Sequence, residues 1–229
     1  MPAVVENSRS LIRSLVPPWV HTAEAYGHES SIVLFPAEAS AIAGSVEKRR
    51  KEFAAVRACA RQALESLGLP ASPLVPAVDR TPRWPEGVVG SMTHCEGYCA
   101  AAVGRGSDVL ALGIDAEPNL PVPEGVLSAF AGAGEVVHLR GLPVNGVAWD
   151  RLLFSAKEAA FKAWYPLTHR WLDFTDATVK IDPLGTFRVT MVTAQARHPR
   201  FPWRTFNGRW GTAATVVSTA IALRRPDRG

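Results

Sequence analysis

The sequence predicts an α+β fold built from two similar units. The pattern of apolar residues indicates helices at about 41–67 and 149–164, and strand-like runs follow each of them. In both helices a phenylalanine, Phe53 or Phe154, precedes a charged residue by four positions and a basic residue by eight. This weak internal echo predicts that the chain repeats one α+β unit.

The other elements are expected from turn and breaker residues. The first helix should end at Gly68 and Pro70, because glycine and proline commonly end helices. Segments rich in proline and glycine, at 70–90 and 117–147, predict a loop and a connector with a short helix at best. Strands are expected at 31–34, 98–103, 109–116, 177–181, 187–193, 209–210 and 215–223.

Composition limits the class of protein. With 229 residues, 47% of them hydrophobic, the chain can bury a core without a metal or a disulfide. No run approaches the roughly 18 apolar residues of a membrane span, so no membrane association is expected. An odd number of cysteines without a secretory signal, Cys59, Cys95 and Cys99, predicts reduced thiols in the cytoplasm. The net charge of +4 permits an anionic partner, but the absence of a long basic run argues against nucleic acid.

Two arginines lie on or beside the apolar face of the first helix. At about 100° per residue, Arg49 falls inside the apolar stripe, and Arg57 lies about 20° from its edge. A long cationic side chain at such a position either extends to water or meets an anion in a cleft. A rigid guanidinium suits a phosphate well, so both interpretations stay open on the residues alone.

Two carboxylates stand at the end of the strand expected at 109–116. Because alternate side chains of a strand share a face, Leu110, Leu112 and Ile114 should face the core. Asp115 and Glu117 should project together from the other side. Carboxylates this close repel each other unless a cation or a proton lies between them. Mg²⁺ is bound by one or two carboxylates with water and substrate phosphates, so the pair predicts either a magnesium site or a solvated strand end.

The second helix carries Glu158 and Lys162 four positions apart, on one face. On an exposed helix this would be a surface ion pair worth a few tenths of a kcal/mol. Here the helix is apolar or aromatic on nearly every side, and Phe154 and Phe161 flank the charged pair. Such a helix should be largely covered, so its charges either line a site or pair with other groups.

Ser91 and His94 precede the strand expected at 98–103. Their spacing predicts no catalytic triad, and a histidine in a loop before a strand is more often a structural hydrogen-bonding group than a catalyst. His94 with Cys95 and Cys99 could also suggest a metal site. However, the spacing fits no standard zinc pattern, and the sequence shows no fourth ligand.

The order of these segments resembles a known family. Residues 113–117 (Gly-Ile-Asp-Ala-Glu) and, some forty positions later, 154–162 (Phe-Ser-Ala-Lys-Glu-Ala-Ala-Phe-Lys) are similar to the two-part signature of 4′-phosphopantetheinyl transferases. Residues 91–94 (Ser-Met-Thr-His) resemble the third motif of that family. The helix with Arg49 and Arg57 resembles the helix with which the family binds the phosphate of CoA.

The resemblance covers about residues 42–176 and is closest to the branch of enterobactin synthetase component D and the actinobacterial activators of polyketide and siderophore pathways. It implies two similar α+β halves with pseudo-twofold symmetry, 1–117 and 118–229, with the active site in the cleft between them. It implies an enzyme that moves the phosphopantetheine arm of CoA to a serine of an apo acyl or peptidyl carrier protein, in polyketide, peptide or fatty-acid synthesis, and releases 3′,5′-ADP. A cytoplasmic monomer is expected.

The resemblance also implies roles for single residues. Asp115, Glu117 and Glu158 would hold Mg²⁺, or alternatively Mn²⁺, against the CoA pyrophosphate. Glu158 would also take the serine proton, directly or through water, and a metal and a lysine beside it should lower its pKa. Lys157 and Lys162 would bind pyrophosphate oxygens. Arg49 and Arg57 would hold the 3′-phosphate of CoA; Ser91 and His94 would complete the phosphate contacts.

One segment departs from the pattern of the family. Family members often have a basic, glycine-containing loop before a Trp-Pro pair, whereas residues 76–85 contain neither glycine nor lysine. Backbone contacts to the adenosine do not depend on this difference. Whether Arg80 or Arg83 replaces the missing base stays open.

Two other functions compete with the transferase. A Mg²⁺-dependent hydrolase of a nucleotide or a pyrophosphate would use the same carboxylates but would not modify a carrier protein. A basic module for nucleic acid would need no metal and would bind with a steep dependence on salt. Carboxylates in the cleft count against that second alternative.

Overall fold

The computed structural model describes residues 10–27, 32–193, 198–199, 201, 203–213 and 215–226. Within these ranges the chain forms five α-helices and two antiparallel sheets, which confirms the predicted α+β class. The helices are α1 (Leu11–Leu15), α2 (Pro36–Ile42), α3 (Glu47–Ser66), α4 (Ala133–Arg140) and α5 (Trp149–Thr168). The strands are β1 (His21–Tyr26), β2 (Val88–Cys95), β3 (Tyr98–Arg105), β4 (Val109–Pro118), β5 (Ala177–Asp182), β6 (Thr186–Met191), β7 (Thr205–Ala213) and β8 (Val216–Arg224).

The two sheets have different sizes. One has three strands in the order β1-β3-β2, and the other has five in the order β4-β8-β7-β6-β5. Strand β4 pairs with β8 in a register that places Asp115 opposite Thr219. The division into halves 1–117 and 118–229 therefore assigns β4 to the N-terminal half, although its hydrogen bonds join it to the sheet of the C-terminal part. That division stays a prediction.

Each sheet is covered by one long helix. The apolar face of α3 packs on β3, where Val56, Ala60 and Leu64 meet Ala101 and Val103. Helix α5 packs on β4 and β8 in the same way and buries Trp164 completely. The opposite face of β3 packs against the core-facing side chains of β4, which joins the two sheets. As predicted, Leu112 and Ile114 lie on that core-facing side. Leu110 is only partly buried and does not join this core, because the register of β4 with β8 shifts between Val109 and Ala111.

Several predicted boundaries differ from the observed ones. The helix predicted from residue 41 begins at Glu47, since Gly44 and Ser45 are poor helix formers, and the separate helix α2 precedes it. Residues 32–34 form no strand, so that prediction is wrong there, and residue 31 lies outside the described ranges. Strand β2 was expected to be loop. It contains Gly90, and a Cβ at this glycine would lie 2.5 Å from the Trp84 ring, so glycine allows the ring to pack on the strand.

The described part of the chain contains no helix that is both long and apolar enough to cross a membrane. All three cysteines are free. The sulfur atoms of Cys59 and Cys99 lie 3.5 Å apart in the core between α3 and β3.

Candidate active site

Asp115 is the centre of a polar cluster where the two sheets meet. Its side chain is almost completely buried, and its Oδ1 accepts hydrogen bonds from Lys162 Nζ at 2.7 Å and from Thr93 Oγ1 at 3.3 Å. Its Oδ2 is buried and has no hydrogen-bond partner among the described residues. A buried carboxylate oxygen without a partner is costly, so this atom marks a place for a donor or a cation.

A glycine brings the second helix to this carboxylate. A Cβ added at Gly113 would lie 2.0 Å from the carbonyl oxygen of Ala159, so β4 and α5 meet backbone to backbone at this point. Glu158 and Lys162 extend from the same stretch of α5 towards Asp115. The close packing of a strand on a helix therefore assembles the cluster.

Lys162 contributes a cation that is only partly used by the protein. Its ammonium donates to Asp115 Oδ1 and, at 3.2 Å, to the carbonyl oxygen of Ile114. An ammonium has three donors, and its side chain is 28% exposed. Lys162 therefore keeps one donor for a bound anion while it holds Asp115.

Glu117 lies beside the same cluster but has a partner of its own. Its Oε2 accepts a hydrogen bond from Arg151 Nη1 at 3.2 Å. Burial, and next the negative charge of Asp115, raise the pKa of Glu117 to about 7, and Arg151 opposes the shift. The carboxylates of Asp115 and Glu117 are thus close enough to interact, as the strand alternation predicts.

Glu158 is half-buried next to Asp115 and Lys162. Burial, and then Asp115, raise its pKa, while Lys162 lowers it. The low pKa expected for Glu158 is therefore not found in the protein alone, because burial outweighs the lysine. A carboxylate with a raised pKa accepts a proton more readily near neutral pH, which suits a general base.

The three predicted metal ligands do not form a preassembled site. Within the described ranges no three histidine, cysteine or acidic side chains converge closely enough to hold a metal ion. The residues still fit a hard cation, because the buried Oδ2 of Asp115 is an unpartnered oxygen ligand with Glu117 and Glu158 close enough to interact with it. Mg²⁺ commonly takes one or two carboxylates and completes its shell with water and phosphate oxygens.

The arginines of α3 form a cationic region next to the carboxylate cluster. Arg57 is buried, stacks on the Phe53 ring with its guanidinium 3.4 Å from the ring centre, and donates through Nε to the Leu74 carbonyl oxygen. Arg49 is half-exposed rather than part of the buried stripe, and its Nη1 donates to His94 Nε2 at 2.8 Å. Because arginine is always a donor, His94 accepts with Nε2 and is neutral.

Electrostatics indicate that this region favours an anion. Burial lowers the pKa of Arg57 to about 10; Glu38 opposes this shift, and smaller repulsions from Arg49 and Arg61 add to it. The pKa of His94 is lowered by burial and then by Arg49 and Lys162. Cations that repel one another in a partly buried place are relieved by a bound anion. The interaction of His94 with Lys162 and Asp115 also links this region to the carboxylate cluster.

Ser91 binds the backbone of β4, which its sequence motif did not indicate. Its buried hydroxyl accepts a hydrogen bond from the Ile114 backbone N–H at 3.0 Å. Thr93, two residues on, does the same for the Ala116 N–H at 3.0 Å. These bonds fix β2 to β4, because they stand where backbone pairing would otherwise be needed. Ser91 thus joins the two sheets, and a phosphate contact for it gains no support.

Lys157 does not join the cluster either. Its buried ammonium donates to Glu135 Oε2 at 2.8 Å and to the carbonyl oxygens of Phe174 and Ala177 at 2.7 and 3.1 Å. All three donors are therefore used inside the second half of the protein. Lys157 therefore has no donor left for the pyrophosphate oxygens predicted for it. Consecutive helix residues point about 100° apart, so Glu158 faces Asp115 and its neighbour Lys157 does not.

Two residues of the site were missed at the sequence level. Thr93 orients Asp115, and Arg151 holds Glu117. Thr93 adjoins His94 in a recognised motif, which was a usable signal. Arg151 precedes the second motif by three positions and carries no pattern of its own.

The segment with Arg80 and Arg83 forms a tight loop near the end of α5. Pro76 and Pro82 pair in an isolated antiparallel β-bridge. Arg80 has a positive φ of 66°, which is uncommon for a residue with a side chain. Asp79, at the tip of this loop, lies close enough to Tyr165 of α5 to raise the pKa of that phenol, after burial. Both arginines are exposed, so neither is assigned a role.

Comparisons with known proteins agree with this arrangement. Residues 37–104 match the family described as the 4′-phosphopantetheinyl transferase N-terminal domain, and residues 111–216 match the 4′-phosphopantetheinyl transferase superfamily. The chain is 47% identical to the 4′-phosphopantetheinyl transferase Svp of Streptomyces mobaraensis over 222 residues, which is 94% of this chain and 90% of that protein.

Two further relatives are similar over nearly their whole length. The 4′-phosphopantetheinyl transferase PptT of Mycobacterium tuberculosis is 42% identical over 225 residues, 93% of this chain and 98% of the relative. The 4′-phosphopantetheinyl transferase Npt of Nocardia iowensis is 41% identical over 221 residues, 93% of this chain and 99% of the relative. The matched residues include both signature motifs and the helix with the arginines.

Proposed function

Because this chain belongs to the 4′-phosphopantetheinyl transferase superfamily and is a transferase of that kind, we propose that the cluster around Asp115 is its active site. The observation that carries this proposal is the buried, unpartnered Oδ2 of Asp115 between Glu158 and a cationic region. In the reaction, a serine hydroxyl oxygen of an apo carrier protein forms a bond to the phosphorus that carries the pantetheine arm of CoA. The bond from that phosphorus to the bridging oxygen breaks, and 3′,5′-ADP leaves.

Asp115, with Glu158 and Glu117 beside it, would hold a divalent cation, for which we propose Mg²⁺. When bound, this cation neutralises the charge that develops on the phosphate oxygens. Two carboxylates and the oxygens of a pyrophosphate are a common ligand set for Mg²⁺. Because the pyrophosphate of the substrate would supply part of this ligand set, the protein does not need a preassembled three-ligand site, and none is found among the described residues.

Lys162 would orient both the carboxylate and the substrate. Its bond to Asp115 Oδ1 leaves Oδ2 directed to the cation, and its remaining donor would bind a pyrophosphate oxygen. Fixing a charged donor before the reaction lowers the barrier without later reorganisation. Among the two lysines of the second motif, this role therefore belongs to Lys162 and not to Lys157.

Glu158 would be the general base. Its raised pKa and its position beside Asp115 favour removal of the serine proton as the new phosphorus–oxygen bond forms. The proton then rests on the Glu158 carboxylate and passes to solvent after 3′,5′-ADP leaves. The proton passes from the serine to Glu158 either directly or through one water molecule, because both routes are compatible with general-base catalysis.

Arg57, Arg49 and the neutral His94 would bind the 3′-phosphate of CoA. Burial is the main cause of the lowered pKa of Arg57, and repulsion from Arg49 adds to it, so a bound anion would favour both guanidiniums. A phosphate would accept charge-assisted hydrogen bonds from both arginines. The anion would thereby place the pyrophosphate of the same CoA molecule near Asp115.

The decisive experiment is mass spectrometry of an apo carrier domain after incubation with the protein, CoA and Mg²⁺. A gain of one phosphopantetheine mass is expected, which a chelator should abolish and which Asp115→Asn should reduce at limiting Mg²⁺. Breakdown of CoA without a gain of mass on the carrier would favour the alternative, a Mg²⁺-dependent hydrolase. We also propose that the protein is a cytoplasmic monomer, which sedimentation and cell fractionation would test.

A further inference from the structure

The first turn of α5 holds the segment that follows β4. Arg151 donates through Nε to the carbonyl oxygen of Leu120 at 3.1 Å and through Nη2 to that of Pro121 at 3.3 Å. The preceding residue, Asp150, accepts a hydrogen bond from the Val122 N–H at 3.0 Å. The segment that leaves the carboxylate strand is therefore fixed to the helix that carries Glu158.

The same guanidinium also holds a carboxylate of the site. Arg151 Nη1 lies 3.2 Å from Glu117 Oε2, and both side chains are about four-fifths buried, with 20% and 21% exposed. Each of the three guanidinium nitrogens thus serves a different acceptor within 117–121. A planar guanidinium can do this because its donors are fixed in one fork, which a lysine does not have.

We propose that Arg151 is a positioning residue, which keeps the Glu117 carboxylate directed to the place where Asp115 binds the cation. Glu117 and Asp115 lie two positions apart on one face of β4, so their charges repel. Glu117 also has a flexible side chain, which would turn away from Asp115 if nothing held it. The proposal rests on the proposed function, because it takes these carboxylates as the ones that face the metal.

The test is a titration of Mn²⁺ into the protein with saturating CoA and no carrier protein, followed by electron paramagnetic resonance. Arg151→Met keeps most of the apolar stem and removes the guanidinium. Mutation of a residue that orients a metal ligand without binding the metal typically weakens metal affinity by about 10–100-fold. The Kd for Mn²⁺ should therefore rise about tenfold in Arg151→Met. In a Glu117→Gln background, Arg151→Met should cause no further rise. Asp150→Ala removes the hydrogen bond to Val122 in the same segment and leaves Glu117 unaffected, so it should leave the Kd for Mn²⁺ unchanged.

A Kd that stays unchanged in Arg151→Met, or that rises equally in both backgrounds, would overturn the proposal. Thermal unfolding checks that the variants fold. If Arg151→Met does not fold, Arg151→Lys replaces it, and its Kd for Mn²⁺ should lie between those of wild type and of a protein without a cation at this position. Asp115→Asn separates the two levels of inference. If Asp115→Asn weakens Mn²⁺ binding and the Arg151 variants do not, only this inference fails, whereas unchanged binding in Asp115→Asn refutes the metal site itself.

Discussion

The backbone of β4 at Gly113 packs directly against the backbone of α5 at Ala159. A Cβ at position 113 would lie 2.0 Å from the Ala159 carbonyl oxygen and 2.8 Å from the Ala163 nitrogen. Side chains do not tolerate such distances, so only glycine allows this packing. Since β4 carries Asp115 and α5 carries Glu158, this one contact sets the distance between the proposed metal ligand and the proposed base.

Gly113→Ala should impair both stability and turnover. The helix must move away from the strand, and overpacking of this kind costs about 1–3 kcal/mol of unfolding free energy. A displacement of about 1 Å should lower kcat about 100-fold. Urea unfolding and transfer kinetics measure the two effects. Gly134→Ala on α4 is the matched control, because nothing lies within 4 Å of its Cβ position, and it should be neutral or slightly stabilising.

Arg57→Ala should weaken CoA binding about 10–100-fold, because a charge-assisted hydrogen bond contributes about 1.5–3 kcal/mol. Wild type should bind dephospho-CoA more weakly than CoA, whereas the variant should bind both about equally. Calorimetric titration measures the four affinities. Arg50→Ala, an exposed residue of the same helix, is the control. An Arg57→Ala protein that still prefers CoA would remove Arg57 from the phosphate site.

Glu158→Gln should lower kcat by about 10²–10⁴, the usual range for a general base, with little change in CoA affinity. Asp115→Asn should instead raise the Mg²⁺ concentration needed for half-maximal rate. In wild type, kcat/KM should fall as the pH decreases through the raised pKa of Glu158, because the protonated carboxyl cannot accept the serine proton. Near-normal kcat in Glu158→Gln at saturating Mg²⁺ would place the base elsewhere.

Ser91→Ala separates a structural role from a phosphate contact. The substitution leaves the Ile114 N–H buried without an acceptor, which should cost about 1–3 kcal/mol of unfolding free energy. The KM for CoA should stay within about twofold of wild type, in contrast to Arg57→Ala. Denaturant unfolding and steady-state kinetics on one preparation decide the question. A large rise in KM with unchanged stability would restore the role predicted from the motif.

Glu117 should make the stability of the metal-free protein depend on pH. Its pKa is raised from 4.5 to about 7, so the folded chain keeps a proton that the unfolded chain has already lost. The free energy of unfolding contributed by this group therefore decreases as the pH rises from about 4.5 to 7. Urea unfolding at pH 5 and pH 8 should show Glu117→Gln gaining stability relative to wild type at the higher pH. A pH-independent difference between the two proteins would contradict the shift.

Local sequence patterns predicted the two long helices α3 and α5, most strands and the strand face with Asp115 and Glu117, but neither α1 nor α2. The β4–β8 pair escaped prediction, because alternation identifies a strand but not its distant neighbour. The same limit explains Lys157. Its place in a motif suggested a ligand contact, whereas the packing of Glu135 and two carbonyl groups around it is a tertiary property.

The polar link between the sheets shows a second limit. A threonine or a serine in a strand is unremarkable in a sequence, and the structure alone shows that Thr93 and Ser91 replace backbone hydrogen bonds between β2 and β4. Arg151 is comparable, since its three acceptors are brought to it by a connector without a regular pattern.

The pairing of β4 with β8 has a consequence for synthesis of the protein. The Ser218 hydroxyl donates to the Asp115 carbonyl oxygen across 103 positions of the chain. At about 5–20 residues per second, a ribosome needs on the order of ten seconds to travel between these two points. During that interval the edge of β4 is exposed on the nascent chain, while α3 and the three-stranded sheet are already complete. The half-finished chain should therefore be most vulnerable to aggregation and proteolysis at the strand that later carries the chemistry.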